Sequence, residues 1–324
     1  MTRHRYIDIV KGLSILCIVL LHYEVGVFPK ELNIFIGSFM ITAFYVTSGW
    51  LDAMGSKAIS IKEYTRKRFQ QLGKPYIYWS VIILMFDLIL CLFNYYDAQY
   101  LAKEIYKTIT LRGIGTLWFL PALFFGGIIW QWLKRKSKLR LFLLFVLTFA
   151  YRELYTDYFV GKESDTMRII DAPFRTLYNI SYALIGIAFG YYAFKITKLK
   201  TPQRLFFVGV GCLILAYISA NYYKLGYIAP LLGPLGLIYI FKSLEKYDIF
   251  SFLDYWGQNS LNLMVTHYSI TLVLIQIVFE NFLGVPFFGW MTLLAFLISL
   301  PIQYLFVYMI DRYIPQTLSK SKKE

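Results

Sequence analysis

Long apolar runs recur along the whole chain and limit what it can fold into. Three of them are VIILMFDLILCLF, LFLLFVLTFAY and LLAFLISLPIQYLF, and each, with its flanks, approaches the ~20 residues that cross a lipid bilayer. Of the 324 residues, 58% are hydrophobic and only 16% are charged, which is unusual for a soluble globular protein. The sequence therefore predicts an all-α, polytopic integral membrane protein.

The hydropathy pattern predicts about ten transmembrane helices. We expect the first to be a retained helix rather than a cleaved signal peptide, because no small-x-small cleavage site follows its apolar run. The eighth contains Pro230, Gly233, Pro234 and Gly236, which favours a tilted or broken helix. The predicted spans cover residues 9–28, 33–52, 75–93, 114–133, 141–151, 176–194, 205–221, 228–241, 256–279 and 289–310.

Lys and Arg residues gather in alternate connections between the predicted helices. With the N-terminus placed in the cytoplasm, 24 of the 33 basic residues fall in cytoplasmic segments and 9 in external segments. An excess of Lys and Arg in cytoplasmic loops is the usual mark of membrane orientation. The distribution predicts that both termini are cytoplasmic, that Lys136 and Lys198 lie inside and that Glu163 lies outside.

The remaining connections are too short for a soluble domain. We expect one membrane-embedded domain over residues 1–311 and a basic cytoplasmic tail over residues 312–324, anchored to the anionic inner leaflet. The two longest connections, residues 94–113 and 152–175, are predicted to be external and suited to a binding surface.

Charge and cysteine content exclude two other interpretations. The net charge of +14 comes from short clusters between apolar runs, so it indicates membrane topology and a lipid-bilayer partner rather than nucleic acid. Cys17, Cys91 and Cys212 lie inside apolar segments. They are expected to be buried small hydrophobic residues, and the sequence predicts no disulfide framework and no metal site.

A polar stripe follows the first predicted helix, RYIDIVKGLSILCIVLLH. Lys11 and His22 are eleven residues apart, so at ~100° per residue their side chains share one face, ~16 Å apart along the axis. Asp8 lies near the same stripe. Ionisable groups inside a membrane are costly and often functional, so the stripe indicates a face turned to the protein interior or to a water-filled cleft. The alternative is a structural His22 that bonds a neighbouring helix.

Two further ionisable residues lie at depths similar to that of His22. The predicted topology places Asp87 in the third helix and His267 in the ninth, both near the middle of the membrane. A polar centre at this depth is one interpretation. The alternative is that each is a packed, hydrogen-bonded helix contact.

A basic cluster, in YTRKRFQQLGKPY, precedes the third helix. Arg66, Lys67, Arg68 and Lys74 stand just before Pro75. Such a run commonly anchors a helix on the cytoplasmic side. It is also suited to a phosphate-rich ligand, because guanidinium groups bind phosphate oxygens in pairs. Charge alone leaves both interpretations open.

Five segments in a fixed order resemble the membrane-embedded acyltransferase family 3 across essentially the whole chain. They are RYIDIVKGLSILCIVLLH, FYVTSGW, YTRKRFQQLGKPY, GTLWFLPALF and GQNSLNLMVTHYSI. The resemblance implies transfer of an acyl group, most often acetyl, from cytoplasmic acyl-CoA to a hydroxyl of a sugar, peptidoglycan, lipid-linked glycan or small molecule. Acyl-CoA is then a substrate, and we expect no tightly bound cofactor, no metal and no fused extracytoplasmic esterase-like domain.

The resemblance also implies roles for single residues. His22 matches the essential histidine of the family, and the spacing from Lys11 matches its first-helix motif. Arg68 matches the first basic residue of the family's Arg-x-x-Arg motif, but Gln71 stands at the second position. Neighbouring basic residues of the cluster are able to replace that arginine in binding CoA.

Three more positions match the family and are expected to line the site. They are Trp118 in GTLWFLP and the pair Asn259 and Ser260 in GQNSL. The alternatives are a packing or interfacial role for the tryptophan, and a hydrogen bond between helices for the Asn-Ser pair.

These inferences combine into one prediction: an inner-membrane O-acyltransferase with a carbohydrate acceptor. His22 would act as general base, which suits an imidazole that titrates near neutrality, and an acyl-histidine intermediate is the second mechanism. The rival class is a transporter that exports a glycan or small polar solute, because polar groups at mid-membrane and broken helices are equally natural there. The sequence contains no evident internal repeat, which counts against the transporter.

Overall fold

The computed structural model of the chain describes residues 3–55, 59–161, 164–199, 201–223 and 227–318. Within these ranges the chain forms helices and no β-strand. The all-α prediction is therefore confirmed. Glu163, which the topology prediction uses, and residues 319–324 of the predicted tail lie outside the described residues.

The helices are named here in chain order. They are α1 Arg5–Tyr23, α2 Lys30–Met54, α3 Ile61–Leu92, α4 Ala98–Ile109, α5 Phe119–Leu133, α6 Lys138–Phe159, α7 Asp165–Ile196, α8 Pro202–Tyr222, α9 Ala229–Ser243, α10 Ser251–Gln258, α11 Ser260–Phe282 and α12 Trp290–Tyr313. Short 3₁₀ turns cover Asp248–Phe250 and Pro315–Leu318.

Within the described ranges, 7 helices are long and apolar enough to cross a membrane, namely α1, α2, α3, α7, α8, α11 and α12. Two shorter apolar helices, α5 and α9, have 15 residues each. The predicted fifth span coincides with α6, where Arg152 and Glu153 interrupt the apolar run. The protein is thus a multi-pass membrane protein, and the number of about ten crossings stays a prediction.

Prolines in α9 do not interrupt the helix. Pro230 lies in the first turn, where its missing N–H is not needed, and Pro234 lies inside a helix that continues to Ser243. The break expected from these residues is therefore not found between Ala229 and Ser243.

The chain divides into two compact units, with one boundary between Ser56 and Lys57, one inside α7 and one inside α12. The first unit comprises Met1–Ser56 and Gly186–Met309, and the second comprises Lys57–Ile185 and Ile310–Glu324. The expectation of a single membrane-embedded domain over residues 1–311 stays a prediction.

In the first unit, α1 and α10 approach until their backbones touch. A Cβ added to Gly12 would lie 1.8 Å from the carbonyl oxygen of Leu253, and one added to Gly257 would lie 1.8 Å from that of Asp8. Small residues at such crossings are what allows helices in membranes to pack by van der Waals contact. This contact fixes the beginning of α1, where Asp8 and Lys11 lie.

The packing of α2 in the first unit follows the same rule. Added Cβ atoms at Gly49 and Gly190 would lie 1.8 and 2.0 Å from backbone oxygens of α7 and α2, respectively. The fully buried Trp50 of α2 donates from Nε1 to the hydroxyl of Tyr6 in α1, at 3.0 Å. The glycine contacts bring α2 close to α7, and the bond from Trp50 to Tyr6 holds the first turn of α1 against α2.

In the second unit, side chains of α3 and α7 hold the connection that contains α4. The hydroxyl of Tyr76 in α3 donates to the carbonyl oxygen of Thr108 at 2.8 Å. The hydroxyl of Thr176 in α7 is 3.0 Å from the carbonyl oxygen of Thr110. The C-terminal end of α4 is therefore fixed between two long helices of the same unit.

Candidate active site

Two histidines meet inside the first unit. His22 lies in the last turn of α1, and its Nδ1 is 3.2 Å from Nε2 of His267 in α11. His267 is fully buried and His22 is half-buried. The sequence places both at a similar membrane depth, and the structure adds direct contact between them.

The hydrogen bonds of His267 assign the protons of both rings. Its Nδ1 is 2.6 Å from the carbonyl oxygen of Leu263, which only accepts, so this nitrogen carries the proton. The buried ring is neutral because an imidazolium there would lose its hydration, and its Nε2 is then an acceptor. His22 consequently donates from Nδ1 and keeps its lone pair on Nε2. This is the nitrogen that can take a proton from a substrate.

Two neighbours limit the rotation of the His22 ring. Tyr268 stands edge-on to it, with ring centroids 4.9 Å apart. His267 contacts it from another direction, with ring centroids 5.2 Å apart. Contacts on several sides hold an imidazole in one rotamer better than one hydrogen bond does.

A buried polar network supports the turn that carries His267. The α-helical pattern of α11 changes to a wider π-turn at His267–Leu272, a local insertion that often occurs at functional sites. The hydroxyl of Thr271 donates to the backbone oxygen of Thr266 across this turn, at 3.2 Å. Gln303 of α12 accepts from the Thr266 hydroxyl at 2.6 Å and donates to the Thr271 hydroxyl at 2.7 Å.

All three members of this network are at most 1% exposed. None of them was among the predicted site residues, although the signal was present. Threonines beside a histidine, and a glutamine in the apolar run of α12, are polar groups at membrane depth, where such groups are costly.

Glu24 fixes the connection that follows His22. Its carboxylate accepts from the backbone N–H groups of Val27 and Phe28, at 2.6 and 2.8 Å, and from the side-chain amide of Asn33 at 2.8 Å. Burial by itself would raise the pKa of Glu24, but these three hydrogen bonds to the charged form hold the pKa below its ordinary value. The carboxylate therefore remains charged and keeps the chain turned between α1 and α2.

The predicted polar stripe at the beginning of α1 is an ion-pair cluster. Asp8 accepts from Arg3 at 2.8 Å and lies 3.8 Å from the ammonium of Lys11. Arg3 also pairs with Asp254 of α10 at 2.7 Å. Asp8 and Lys11 are thus brought together in the first unit, and Arg3 and Asp254 complete a cluster that sequence reasoning missed.

Asn259 and Ser260 form the corner between α10 and α11. The Asn259 side-chain amide donates to the carbonyl oxygen of Tyr255 at 3.0 Å, one turn back. Ser260 is the first residue of α11, the helix that carries His267. These residues set the direction in which α11 begins.

The basic cluster lies in the second unit at the beginning of α3. Arg68 donates from Nε to the hydroxyl of Tyr64 at 3.0 Å, and its guanidinium lies over that ring, 5.4 Å from the centroid. The side chains of Arg66, Lys67 and Lys74 are exposed. A π-turn at Phe69–Gly73 follows Arg68 and changes the helical register of the residues beyond it.

The departure from the family motif falls inside that turn. Gln71, at the second motif position, is exposed within Phe69–Gly73. Basic charge is therefore presented by exposed side chains on both sides of the turn. These side chains are available to a solvent-borne anionic ligand.

Asp87 and Trp118 also belong to the second unit. Asp87 is 2% exposed, interacts electrostatically with Glu104 and Lys107, and has an Oδ2 atom that finds no hydrogen-bond partner among the described residues. Trp118 precedes α5, and the tight turn before it is made by Gly113, whose φ is +74°. A side chain at position 113 would strain this turn and meet the Trp118 backbone.

The predicted site residues are thus divided between the two units. His22, His267, Asp8, Lys11, Asn259 and Ser260 belong to the first, whereas Arg66, Lys67, Arg68, Lys74, Asp87 and Trp118 belong to the second.

Comparison with known proteins agrees with the resemblance noted in the sequence. A family model described as an acyltransferase domain, that of acyltransferase family 3, matches residues 4–308. No curated protein and no solved structure matches the chain. The matched region contains both histidines of the pair, the basic cluster of α3, and Asp8, Lys11 and Asp254 of the ion-pair cluster. The chain is a membrane-embedded acyltransferase and belongs to acyltransferase family 3.

Proposed function

We propose that this membrane acyltransferase transfers an acyl group, most simply acetyl, from cytoplasmic acyl-CoA to a hydroxyl of a carbohydrate or lipid-linked glycan. The observation that carries the proposal is the assignment of protons in the histidine pair. This assignment leaves a lone pair on Nε2 of His22, and the buried His267 holds the ring in position. A positioned neutral imidazole is the group that most often removes a proton from a hydroxyl nucleophile.

In the proposed reaction, His22 carries one proton from the acceptor hydroxyl to the CoA thiolate. Nε2 removes the proton of the acceptor hydroxyl while the oxygen attacks the thioester carbonyl carbon. The C–S bond then breaks, and the CoA thiolate recovers the proton from Nε2. The products are an O-acyl ester and CoA with a free thiol. While His22 is charged, its Nδ1–H points to the acceptor Nε2 of His267, which favours the imidazolium.

The second mechanism starts from the same nitrogen. Nε2 of His22 attacks the thioester carbonyl carbon and the C–S bond breaks, which gives an acyl-imidazolium and the CoA thiolate. The acceptor hydroxyl then attacks the acyl carbon, the bond from Nε2 to that carbon breaks, and the hydroxyl proton neutralises the thiolate. This order suits a donor and an acceptor that arrive from opposite sides of the membrane. Incubation with acetyl-CoA without acceptor, followed by acid quench and mass spectrometry of the peptide that contains His22, separates the two mechanisms by the presence of an acetyl group.

Acyl-CoA binding is assigned to the basic cluster of α3. The side chains of Arg66, Lys67 and Lys74 are exposed, and the positive-inside pattern places this segment on the cytoplasmic side. CoA carries several phosphate charges, for which clustered cations are suitable partners. The protein would accordingly act in the cytoplasmic membrane on polysaccharide of the cell envelope.

Purified protein in neutral detergent provides the test. We expect release of free CoA thiol from acetyl-CoA that depends on an added oligosaccharide acceptor, together with a mass increase of one acetyl group on that acceptor. The matched control is the same preparation with Gln in place of His22. If the folded protein transfers no acyl group from any acyl-CoA to a panel of glycan acceptors, the proposed donor and acceptor are wrong.

A further inference from the structure

A cluster of arginines and tyrosines in the second unit takes no part in the chemistry described above. Its arginines come from three elements: Arg152 from α6, Arg175 from α7, and Arg112 from the connection between α4 and α5. The hydrogen bond from Thr176 to the Thr110 carbonyl fixes α7 against that connection, next to two of these arginines.

One tyrosine links the cluster to a carboxylate. Tyr155 donates its hydroxyl hydrogen to Oδ1 of Asp171 and accepts from Nη1 of Arg175, the latter at 3.2 Å. The ring of Tyr178 lies beside that of Tyr155, with centroids 4.5 Å apart. Arg175 lies over both rings, 5.9 and 5.8 Å from their centroids.

Arg152 fixes the aromatic side of the cluster. Its guanidinium lies 4.5 Å from the centroid of Tyr178 and 4.2 Å from that of Tyr182, and the residue is 4% exposed. Its Nη2 also donates to the Tyr178 hydroxyl at 3.2 Å. Cation–π contacts of this kind strengthen when they are removed from water. The rings next to Arg175 are therefore rigidly held.

Positive charge is concentrated beside these rings. Arg112 and Arg175 are both half-buried, and Arg112 interacts electrostatically with Arg175, Asp171 and Glu104. Glu104 is already paired with Lys107, so Asp171 lies opposite two guanidinium groups. Burial, and then the charge of Arg175, lower the pKa of Arg112 below its ordinary value in spite of the acidic groups. Like charges that share a desolvated site are costly unless an anion accompanies them.

We propose that Arg112 and Arg175, together with the tyrosine rings beside them, bind the carboxylate or phosphate group of an anionic sugar that serves as the acyl acceptor. Guanidinium groups bind such oxyanions through two parallel hydrogen bonds, and tyrosines present both an apolar ring face and a polar hydroxyl. The distribution of Lys and Arg predicts that these segments lie on the external side, opposite the side proposed for acyl-CoA. The role of this sugar as acyl acceptor rests on the proposed acyl transfer.

Binding without any acyl donor tests the site separately from the reaction. Purified protein in neutral detergent is titrated calorimetrically with glucuronate, glucose 1-phosphate and neutral glucose at matched ionic strength. We expect both anionic sugars to bind more tightly than glucose. Arg112→Gln and Arg175→Gln should each weaken that binding by about tenfold, the size of one charge-assisted contact. Arg168→Gln, which removes the same charge from an exposed position of α7, should leave it unchanged.

Three other outcomes overturn the proposal. Equal binding of glucose and the anionic sugars, or wild-type affinity in both variants, would mean that the arginines do not recognise an anion. The third outcome is that the variants bind the sugars as the wild type does but change the melting temperature in vesicles with phosphatidylglycerol and not in phosphatidylcholine alone. The arginines would then contact lipid head groups. If a Gln variant does not fold, Arg175→Lys is titrated instead. It keeps the charge but cannot form two parallel hydrogen bonds, so it should also bind the anionic sugars more weakly than the wild type. A protein that binds anionic sugars but transfers no acyl group would refute the proposed function and leave the site intact.

Discussion

The buried polar side chains around α11 in the first unit are uncharged, whereas those around α3, α4 and α6 in the second unit include carboxyl and guanidinium groups. In the first unit, the pair His22–His267 and the separate series of Thr266, Thr271 and Gln303 are hydrogen-bonded without a formal charge in the assigned state. Such a series has a low desolvation cost and fixes the position of each proton. It is suited to hold a base.

In the second unit, the buried polar side chains include three carboxyl or guanidinium groups. Asp87, Glu104 and Arg152 are each at most 4% exposed, and Lys107 pairs with Glu104. Taking ions out of water costs several kcal/mol each, and their mutual attraction repays this only in good geometry. A membrane protein that retains such groups is expected to use their charge, for example to bind a charged ligand. The comparison therefore supports the proposals that proton transfer occurs in the first unit and that charged ligands bind to the second.

The largest effect should come from the base itself. His22→Gln keeps the size and hydrogen-bonding capacity of the side chain but cannot take a proton at neutral pH. We expect acyl transfer to fall by at least ~10²-fold, the usual contribution of a general base. The measurement is acceptor-dependent CoA release at saturating acetyl-CoA.

His22→Ala, the matched truncation, should lose transfer to the same extent while insertion and acyl-CoA affinity remain near those of the wild type. Near-normal transfer by His22→Gln would end the claim that the neutral pair of the first unit carries the chemistry. Loss of folded protein in both variants would indicate a structural histidine.

The basic cluster of α3 should give the next largest effect. Each charge-assisted contact to a CoA phosphate contributes about 1.5–3 kcal/mol, so Arg68→Ala should weaken acyl-CoA binding by ~10-fold or more. Calorimetric titration with CoA at two salt concentrations measures it. Arg204→Ala, an exposed basic residue elsewhere in the chain, is the control. Unchanged affinity in Arg68→Ala and in a triple substitution of Arg66, Lys67 and Lys74 would reduce the cluster to a topology anchor.

A smaller effect is expected at His267, which positions the base. His267→Phe removes the acceptor of the His22 Nδ1–H bond, and a hydrogen bond of this kind contributes about 0.5–1.5 kcal/mol. We expect kcat to fall by about three- to tenfold with little change in KM for acyl-CoA.

His267→Gln should recover part of that loss, because its side-chain oxygen can accept from His22. A change in KM with kcat unaltered would contradict a positioning role. So would a loss as large as that of His22→Gln in both variants.

Gln303 should affect stability rather than the reaction directly. Gln303→Met preserves volume but removes the hydrogen bonds to the hydroxyls of Thr266 and Thr271. Each contributes about 0.5–1.5 kcal/mol, because both hydroxyls keep a backbone acceptor. Thermal unfolding in detergent measures the loss, and Tyr308→Phe, at an exposed position of the same helix, serves as control. Equal melting temperatures of the two variants would show that the network contributes nothing to the stability of α11.

The smallest effect concerns the pH dependence of the connection after His22. The folded pKa of Glu24 lies below its ordinary value of 4.5, so its stabilising contribution is fully present above about pH 4.5 and is lost as pH falls through the lower folded pKa. Hydrogen exchange at Val27 and Phe28, corrected for intrinsic rates, should accelerate over that window.

Glu24→Gln should accelerate this exchange at neutral pH, whereas Glu31→Gln, at an exposed position of α2, should not. Exchange that is independent of pH in the wild type, below the ordinary pKa of a glutamate, would mean that the carboxylate does not hold the connection.

Much of the architecture follows from the sequence, because a bilayer imposes constraints that single residues reveal. A spanning segment must satisfy its own backbone hydrogen bonds, so apolar runs of sufficient length predict helices such as α1, α3 and α12 without reference to their neighbours. Polar residues within those runs are conspicuous for the same reason. His22, Asp87 and His267 can therefore be selected from the sequence alone.

The contact partners of these residues, and the positions of their protons, depend on tertiary structure. Each such contact joins residues that are far apart in the chain. The contact between His22 and His267 requires α1 and α11 to pack together, and the Leu263 carbonyl then decides which nitrogen holds a proton. Sequence spacing relates residues within one helix, as it did for Asp8 and Lys11. It does not specify which helices meet, since that depends on close contacts such as those of Gly12 and Gly257 between α1 and α10.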